Sequence, residues 1–513
     1  MLADTQQAPM QLFELTLLLL WMAMVLLHWA QRLRVPYPSL LALGGVCVAA
    51  MPFAAKLSIE PQLALALFVA PAVMDSAFEL PPREMLRNWI PLVSLAVMLV
   101  LATAAVVAWV GVKFAGLPIA AAVAHGAIVA PPDAAAAGAV LREFELPRRA
   151  MSILQGESLL NDAVALLVFG IAVSVAITPD QQLAPLLPKL LIAVPGGAVL
   201  GVLIGKFSLR VLKRTAGTTS SIIAQFLIIY GAWILADHIG LSPIITVVGL
   251  ATVAARRMPE QTTARDRINI TAVWITVNLV LNVLAFLLMG LQAKSILSKL
   301  QGAALSHALA FAGLVLLAVI LVRIVWVMSY GFLVRRLRPG GPPMRIGILV
   351  SWCGMRGLVT LATAFALPAQ FPNRDVIVLA SFTVVLGTLV LQGFTIRPLI
   401  AALKIAKDSS LDTEIASNRG AMLAVALQSI DQDSSAEAQA LRVEVEALRK
   451  DNVGRERPRT PHDDLRLRML TAERALIHER RRKGLLAEDV FQVLENELDQ
   501  AELDIGSDSL YLE

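Results

Sequence analysis

Between residues 10 and 402 the chain returns repeatedly to apolar runs of the length a bilayer requires, about twenty residues for a helix rising ~1.5 Å per residue. The runs fall at 10–29, 38–55, 61–77, 89–112, 118–140, 151–177, 185–212, 220–238, 241–255, 270–291, 303–333, 346–368 and 375–402, about thirteen spans. In hydrocarbon each backbone N–H and C=O must be satisfied within the protein, so runs of this kind are helices. A mean hydropathy of +0.70 with 16% charged residues excludes an ordinary soluble fold. The expected class is therefore an all-α polytopic membrane protein. The short 241–255 run is the least certain crossing, since a re-entrant segment there would reverse the parity of everything before it.

With thirteen spans, alternate loops carry Arg32 and Arg34; Arg83 and Arg87; Arg142, Arg148 and Arg149; Arg210, Lys213 and Arg214; Arg256 and Arg257; and Arg335, Arg336, Arg338 and Arg345. The positive-inside rule makes these loops cytoplasmic, with the N-terminus outside and the C-terminal tail inside. A multi-pass cell-membrane location is expected, the compact loops pointing to a bacterial inner membrane. The pI near 9.3 reflects this loop bias, and no nucleic-acid partner is expected. Met1 to Pro9 lacks a basic segment, so the first run is read as a retained helix and not as a signal peptide. Cys47 and Cys353 lie in apolar runs, which suggests neither a disulfide framework nor a thiolate metal site.

Near Lys404 the apolar runs give way to charged, heptad-like sequence. We expect two domains, a transmembrane part at 1–403 and a helical cytoplasmic tail at 404–513. Leu441, Val445 and Leu448, and then Val490, Leu494 and Leu498, recur at helical spacing. Gly454 to Pro461 reads as a break between the helices. The tail suits a regulatory role, binding a regulator, or a dimer contact, or is a solvated helical appendage.

Chemistry concentrates on polar residues inside the spans. An ionised side chain at membrane depth is costly, so it faces a water-filled cavity, pairs with an opposite charge, or exchanges protons. The sixth span contains GESLLND, with Glu157 and Asp162 five residues apart and Ser158 one turn before Asp162 on the same face. The fifth contains AHGAIVAPPD, where Pro131 and Pro132 remove two backbone donors and interrupt the helix just before Asp133. Asp133, Asp162, Ser158 and freed carbonyls offer the oxygen ligands that a hard cation such as Na⁺ prefers. The twelfth span brackets Arg356 between Gly354 and Gly357, and an intramembrane guanidinium calls for a carboxylate, with Glu157 as the candidate. Asp75 lies at the end of the third span. His125, His238 and His307 are read as residues satisfied by packing and are left out of the site.

GESLLNDAVALLVF resembles the signature helix of the monovalent cation/proton antiporters, in the sodium/proton exchanger branch whose site pairs an Asn with an Asp. Asp75 stands where that family has an acidic residue in its third helix. GAIVAPPD resembles the interrupted helix that in the family ends Thr-Asp-Pro, WITVNLVLNVLAFLLMGL with Asn282 resembles its tenth helix, and GMRGLVTLA resembles its Gly-x-Arg-Gly element. The resemblance covers about residues 10–402.

It implies two inverted repeats whose interrupted fifth and twelfth helices cross near the midplane, a homodimer, and exchange of Na⁺, sometimes Li⁺ or K⁺, for H⁺. Asp162 would hold the proton or, with Asp133 and Ser158, the Na⁺; Asn161 would orient the crossing; Glu157, Arg356, Asp75 and Asn282 would support it. One departure is that Pro132 replaces the family's Thr before the Asp, leaving only its carbonyl as a ligand. Because Asn161 stands where a second acid could, one cation against one proton is expected, hence electroneutral exchange. K⁺/H⁺ antiport and a non-transporting ion or pH sensor acting through the tail are the alternatives. No ATPase signature is present, so no enzyme activity and no cofactor are expected, and an ion gradient supplies the energy.

Overall fold

The computed structural model describes residues 2–33, 35–50, 60–79, 87–133, 137–138, 141, 144, 146–177, 186–215, 218, 220–261, 264–299, 302–337, 343–405, 408, 410–450, 461–483, 485 and 488–506. All regular structure among them is helical. The chain divides into two compact units, Met1–Ala406 and Lys407–Glu513.

The first unit contains α1 (Leu2–Leu33), α2 (Tyr37–Ala49), α3 (Pro61–Ala64), α4 (Ala70–Glu79), α5 (Trp89–Val93), α6 (Leu99–Ala115), α7 (Ile119–Val129) and α8 (Arg148–Ile177). It continues with α9 (Leu186–Thr215), α10 (Ser220–His238), α11 (Pro243–Gln261), α12 (Ala264–Leu291), α13 (Ala293–Leu297), α14 (Gly302–Leu337), α15 (Met344–Trp352), α16 (Leu358–Phe365) and α17 (Arg374–Leu403). Single π-helical turns, Leu65–Val69 and Ser94–Met98, join α3 to α4 and α5 to α6. Among the described residues, 7 helices are long and apolar enough to cross a membrane, and further apolar helices are shorter.

Each apolar run of the sequence is helical in whole or in part. The run at 241–255 is helical from Pro243 onward, within one continuous helix of 19 residues that extends to Gln261. Two runs break as the sequence predicts: 118–140 is interrupted after Val129, with Ala137 and Gly138 helical again, and 346–368 splits into α15 and α16. The run at 38–55 is helical only to Ala49.

Helices in hydrocarbon gain little from burying apolar surface against each other and rely on close backbone approach at small residues. Gly45 of α2 faces Gly290 of α12, and Gly201 of α9 faces Gly249 of α11; a Cβ on any of the four would press on the partner's backbone. The outward surface carries large apolar side chains, including Trp21, Trp109, Leu227 and Val325. Such a surface would be a liability in water and is the natural one in lipid.

Inside lie two large apolar cores and a small cluster of Val100, Ala130 and Ala165. One gathers residues of α2, α6, α7, α12, α14, α15 and α17; the other gathers α4, α10 and α11. Helix α8 belongs to both, giving Ala150, Leu154 and Ala172 to the first and Leu159 and Ala163 to the second. The segment carrying Glu157, Asn161 and Asp162 therefore runs along the seam between the two.

The second unit contains α18 (Ser410–Ser429), α19 (Ala436–Lys450), α20 (Pro461–Arg482) and α21 (Glu488–Gly506). Helices α20 and α21 pair: Arg474 reaches Asp499 at 2.8 Å and Glu502 at 2.7 Å, and Arg481 lies over the Phe491 ring at 4.2 Å. Of the predicted stripe on α19, Leu448 is buried while Leu441 is exposed, and Ala438 is the other buried residue described on this helix. The predicted break at Gly454–Pro461 lies outside the described residues save for Pro461, which opens α20. Asp433, just before α19, accepts the Ser435 N–H at 2.9 Å, which holds its carboxyl below the usual range.

Candidate functional site

Pro131 and Pro132 have no N–H to continue the α7 ladder, so the helix ends at Val129 and the backbone from Ala130 to Asp133 is irregular. Opposite it, Cys353 to Gly357 form the unwound stretch between α15 and α16. The two irregular segments meet directly, the Asp133 N–H donating to the Met355 carbonyl at 2.7 Å. Gly357 is required at the crossing, since a Cβ there would strike the Asp133 carboxylate. The acid thus lies against the first turn of α16, where the helix dipole favours negative charge. The second half of the interrupted fifth run, at 134–136 and 139–140, falls outside the described residues.

Ending two helices inside a membrane leaves carbonyls without donors, which is tolerable only if protein groups supply them. Two buried guanidinium groups do so. Arg356 donates to the Val129 carbonyl at 3.1 Å and the Ala130 carbonyl at 3.3 Å, and also to its neighbour Gly354, while its backbone N–H donates to Thr388 Oγ1 at 3.0 Å. Arg323, from the middle of α14, donates to the Val350 carbonyl at 3.1 Å near the end of α15. Each half-helix thereby terminates on a positive charge, favourable for its negative end.

The predicted pairing of Glu157 with Arg356 is corrected by this arrangement. Glu157 is held by Arg323, bidentately, at 2.5 and 2.9 Å, with both side chains 1% exposed. Arg356 makes no carboxylate hydrogen bond among the described residues; each of its three guanidinium nitrogens instead donates to a backbone carbonyl. Arg323 was legible in the sequence as the one charge in the apolar body of the eleventh span, and the rule that sought a partner for Arg356 applies equally to it. Thr388 carried no comparable signal.

Asp162 is buried at 8% exposure on α8, and among the described residues no hydrogen-bond donor or cation meets its carboxylate. Asp133, about half-buried, lies close enough for the two charges to interact. Asn161 is fully buried; its Nδ2 donates to the Pro132 carbonyl at 3.2 Å, tying α8 to the unwound segment, and its Oδ1 has no partner among the described residues. The Pro132 carbonyl keeps a second lone pair. Ser158 sits one turn before Asp162 on the same face, partly exposed.

The structure thus brings Pro132, Asp133, Asn161, Asp162 and, one turn away, Ser158 to one place. Asp75 is on α4, which packs against α8, and is half-buried. Asn282 is half-buried on α12 and its amide makes no hydrogen bond to the crossing segments among the described residues. Of the histidines, His125 is fully buried against the Phe311 ring at 5.6 Å, with neither ring nitrogen hydrogen-bonded among the described residues, so packing holds it without polar satisfaction. The exposed His238 bonds the Ile234 carbonyl through Nδ1 at 2.8 Å.

The crossing yields a direct expectation. Gly357→Ala forces the Asp133 carboxylate from its place, with an overpacking cost of about 1–3 kcal/mol. The variant should unfold at lower temperature in a detergent melting assay and exchange ions more slowly. Gly313→Ala on α14, where a Cβ meets nothing within 4 Å, should leave both unchanged.

The family profile described as "Sodium/hydrogen exchanger, transmembrane" matches residues 17–402. The "Sodium, potassium, lithium and rubidium/H(+) antiporter" of Bacillus pumilus is 28% identical over 77% of this chain, which spans 62% of that protein's length. The "Low-affinity Na(+)/H(+) antiporter NhaS1" of Synechocystis is 26% identical over 75% of this chain and 72% of its own. In three dimensions the sodium proton antiporter MjNhaP1 of Methanocaldococcus jannaschii superposes with a TM-score of 0.59 at 18% identity, over 75% of this chain and 97% of its own, a likeness of fold. The matched region runs from the middle of α1 to the last turn of α17 and includes every residue of the crossing, and the chain belongs to the sodium/hydrogen exchanger family.

Proposed function

We propose that this chain is a secondary active transporter that exchanges Na⁺ for H⁺ by alternating access, with Asp162 as the shared site. The observation that carries the reading is the division of charge at the crossing. Arg323 is engaged by Glu157 and Arg356 by backbone carbonyls, while Asp162 faces no donor or cation among the described residues. A bare carboxylate in that position is costly. It is relieved by a proton or by a small cation shared with Asp133, Ser158 and the second lone pair of the Pro132 carbonyl.

Proton and cation then compete for one group, and either occupied form is better tolerated inside the membrane than the empty one. With Asn161 beside it instead of a second acid, one cation leaves for each proton that enters, and the cycle moves no net charge. Asn161 holds the helix to the unwound segment while this happens. The chain works as a homodimer in the cell membrane, with the basic loops and the tail on the cytoplasmic side, a reading supported by the sequence resemblance and the loop charges.

K⁺ deserves a place as a second cargo, because the Bacillus pumilus relative is named for sodium, potassium, lithium and rubidium. The loss of a Thr hydroxyl at Pro132 bears on the same choice, since it removes one oxygen ligand from the cation's shell. Proteoliposomes carrying a pH gradient and a trapped pH dye separate the readings. Added Na⁺ should dissipate the gradient without any ionophore to compensate charge. A response to K⁺ alone moves the assignment to K⁺/H⁺ exchange, and no response to Na⁺, Li⁺ or K⁺ by folded protein refutes transport.

A further inference from the structure

Away from the crossing, α14, α15 and α17 enclose a groove of about 580 Å³ lined by Ile324 and Met328 of the first, Ile348 and Trp352 of the second, and Pro398 and Leu399 of the third. Its size falls within the roughly 300–1,000 Å³ range of sites that hold small organic ligands. Two polar side chains touch it, and both are already satisfied. Ser351 Oγ donates to the Ile348 carbonyl at 2.8 Å. Thr395 Oγ1 donates to the Leu391 carbonyl at 2.5 Å and accepts the Trp352 indole N–H at 2.9 Å. Whatever occupies the groove must therefore present hydrocarbon to its wall.

One end of the groove is strongly basic. Arg345 lies one turn before Ile348 on α15 and donates to the Lys404 carbonyl at 3.5 Å, just beyond the end of α17. Arg335, two turns after Met328 on α14, and the adjacent Arg336 close the same end, and all four side chains are exposed. Between Asp266 and Asp408 the sequence holds a single acidic residue, Asp375. It opens α17 at the far end and is paired with Lys299 at 3.0 Å. No acid of these three helices offsets the four cations.

The geometry points to a binding site for one anionic phospholipid, with an acyl chain in the groove and its phosphate-bearing headgroup among Arg335, Arg345 and Lys404. Hydrocarbon below and positive charge at the membrane surface match that lipid's two halves. A juxtamembrane basic residue favours an anionic headgroup by about 1 kcal/mol, so two of them are worth roughly tenfold or more in affinity. The site includes the last turn of α15 before the chain unwinds at Cys353, and it does not involve Asp162 or Asp133.

Native mass spectrometry of the full chain in detergent tests this, with phosphatidylglycerol and phosphatidylcholine of identical oleoyl chains as the probes. The wild type should retain one phosphatidylglycerol about tenfold more tightly than phosphatidylcholine. Arg345→Gln combined with Lys404→Gln should lower phosphatidylglycerol to the phosphatidylcholine level, and Leu399→Trp, which fills the groove, should displace the retained lipid of either kind. Ile348→Phe serves the same purpose if Leu399→Trp does not fold. Equal retention of the two lipids by the wild type, retention of detergent alone, or phosphatidylglycerol binding that survives both the headgroup and the filling variants would overturn the site.

Discussion

Asp162→Asn abolishes cation-driven proton exchange while the protein remains folded. Asn has nearly the shape of a protonated Asp and avoids leaving a bare charge at the seam between the two cores, so the fold has no reason to suffer. What is lost is the attraction for the cation and the ability to carry a proton. A unit charge pair about 4 Å apart at an effective dielectric near 20 is worth roughly 4 kcal/mol, or about a thousandfold in cation affinity. Gradient dissipation in proteoliposomes should fall to that of protein-free vesicles, with an elution profile and melting temperature close to wild type. Residual Na⁺/H⁺ exchange above about a tenth of wild type would mean that Asp133 or another group carries the proton.

The second large effect falls on stability. Glu157→Gln leaves the Arg323 guanidinium buried beside a neutral amide, with only the Val350 carbonyl as a strong acceptor. Removing one member of a buried ion pair costs about 3–5 kcal/mol, a large share of what holds a protein together. The variant should show a sharply lowered melting temperature and poor recovery of folded protein from membranes. Replacing both partners, Glu157→Gln with Arg323→Met, removes the stranded charge and should be less damaging than the single change. If the double variant were worse by the sum of the two single effects, the pair would not be coupled as the geometry requires.

Much of this architecture was legible in the sequence, and the reasons differ from residue to residue. The break at Pro131 and Pro132 could be read because proline removes a donor wherever it stands. The loosening around Arg356 could be read from its flanking glycines. The convergence of Asp133 and Asp162 followed from placing intramembrane acids beside an interrupted helix, and the place of Asn161 from the resemblance to the antiporter signature helix. The identity of Glu157's partner was not legible, because two guanidinium groups were available inside the membrane and sequence distance does not rank them. Nor could the sequence reveal that Arg356 is satisfied by the carbonyls that the broken helix sets free, since that depends on how the two interruptions face each other. Asn282 resembled a site residue by its motif, yet its amide makes no bond to the crossing among the described residues.

Proton and cation competing for one carboxylate, Asp162, must leave a mark on the pH dependence of the apparent KM for Na⁺, the most direct measurement of that competition. As pH falls the proton occupies the shared site more often, so more Na⁺ is needed to displace it. Competition predicts a KM that rises by up to about tenfold per pH unit on the acid side with the maximal rate unchanged at saturating Na⁺. A KM that stays constant while the maximal rate falls would place the proton on a separate group and contradict the account.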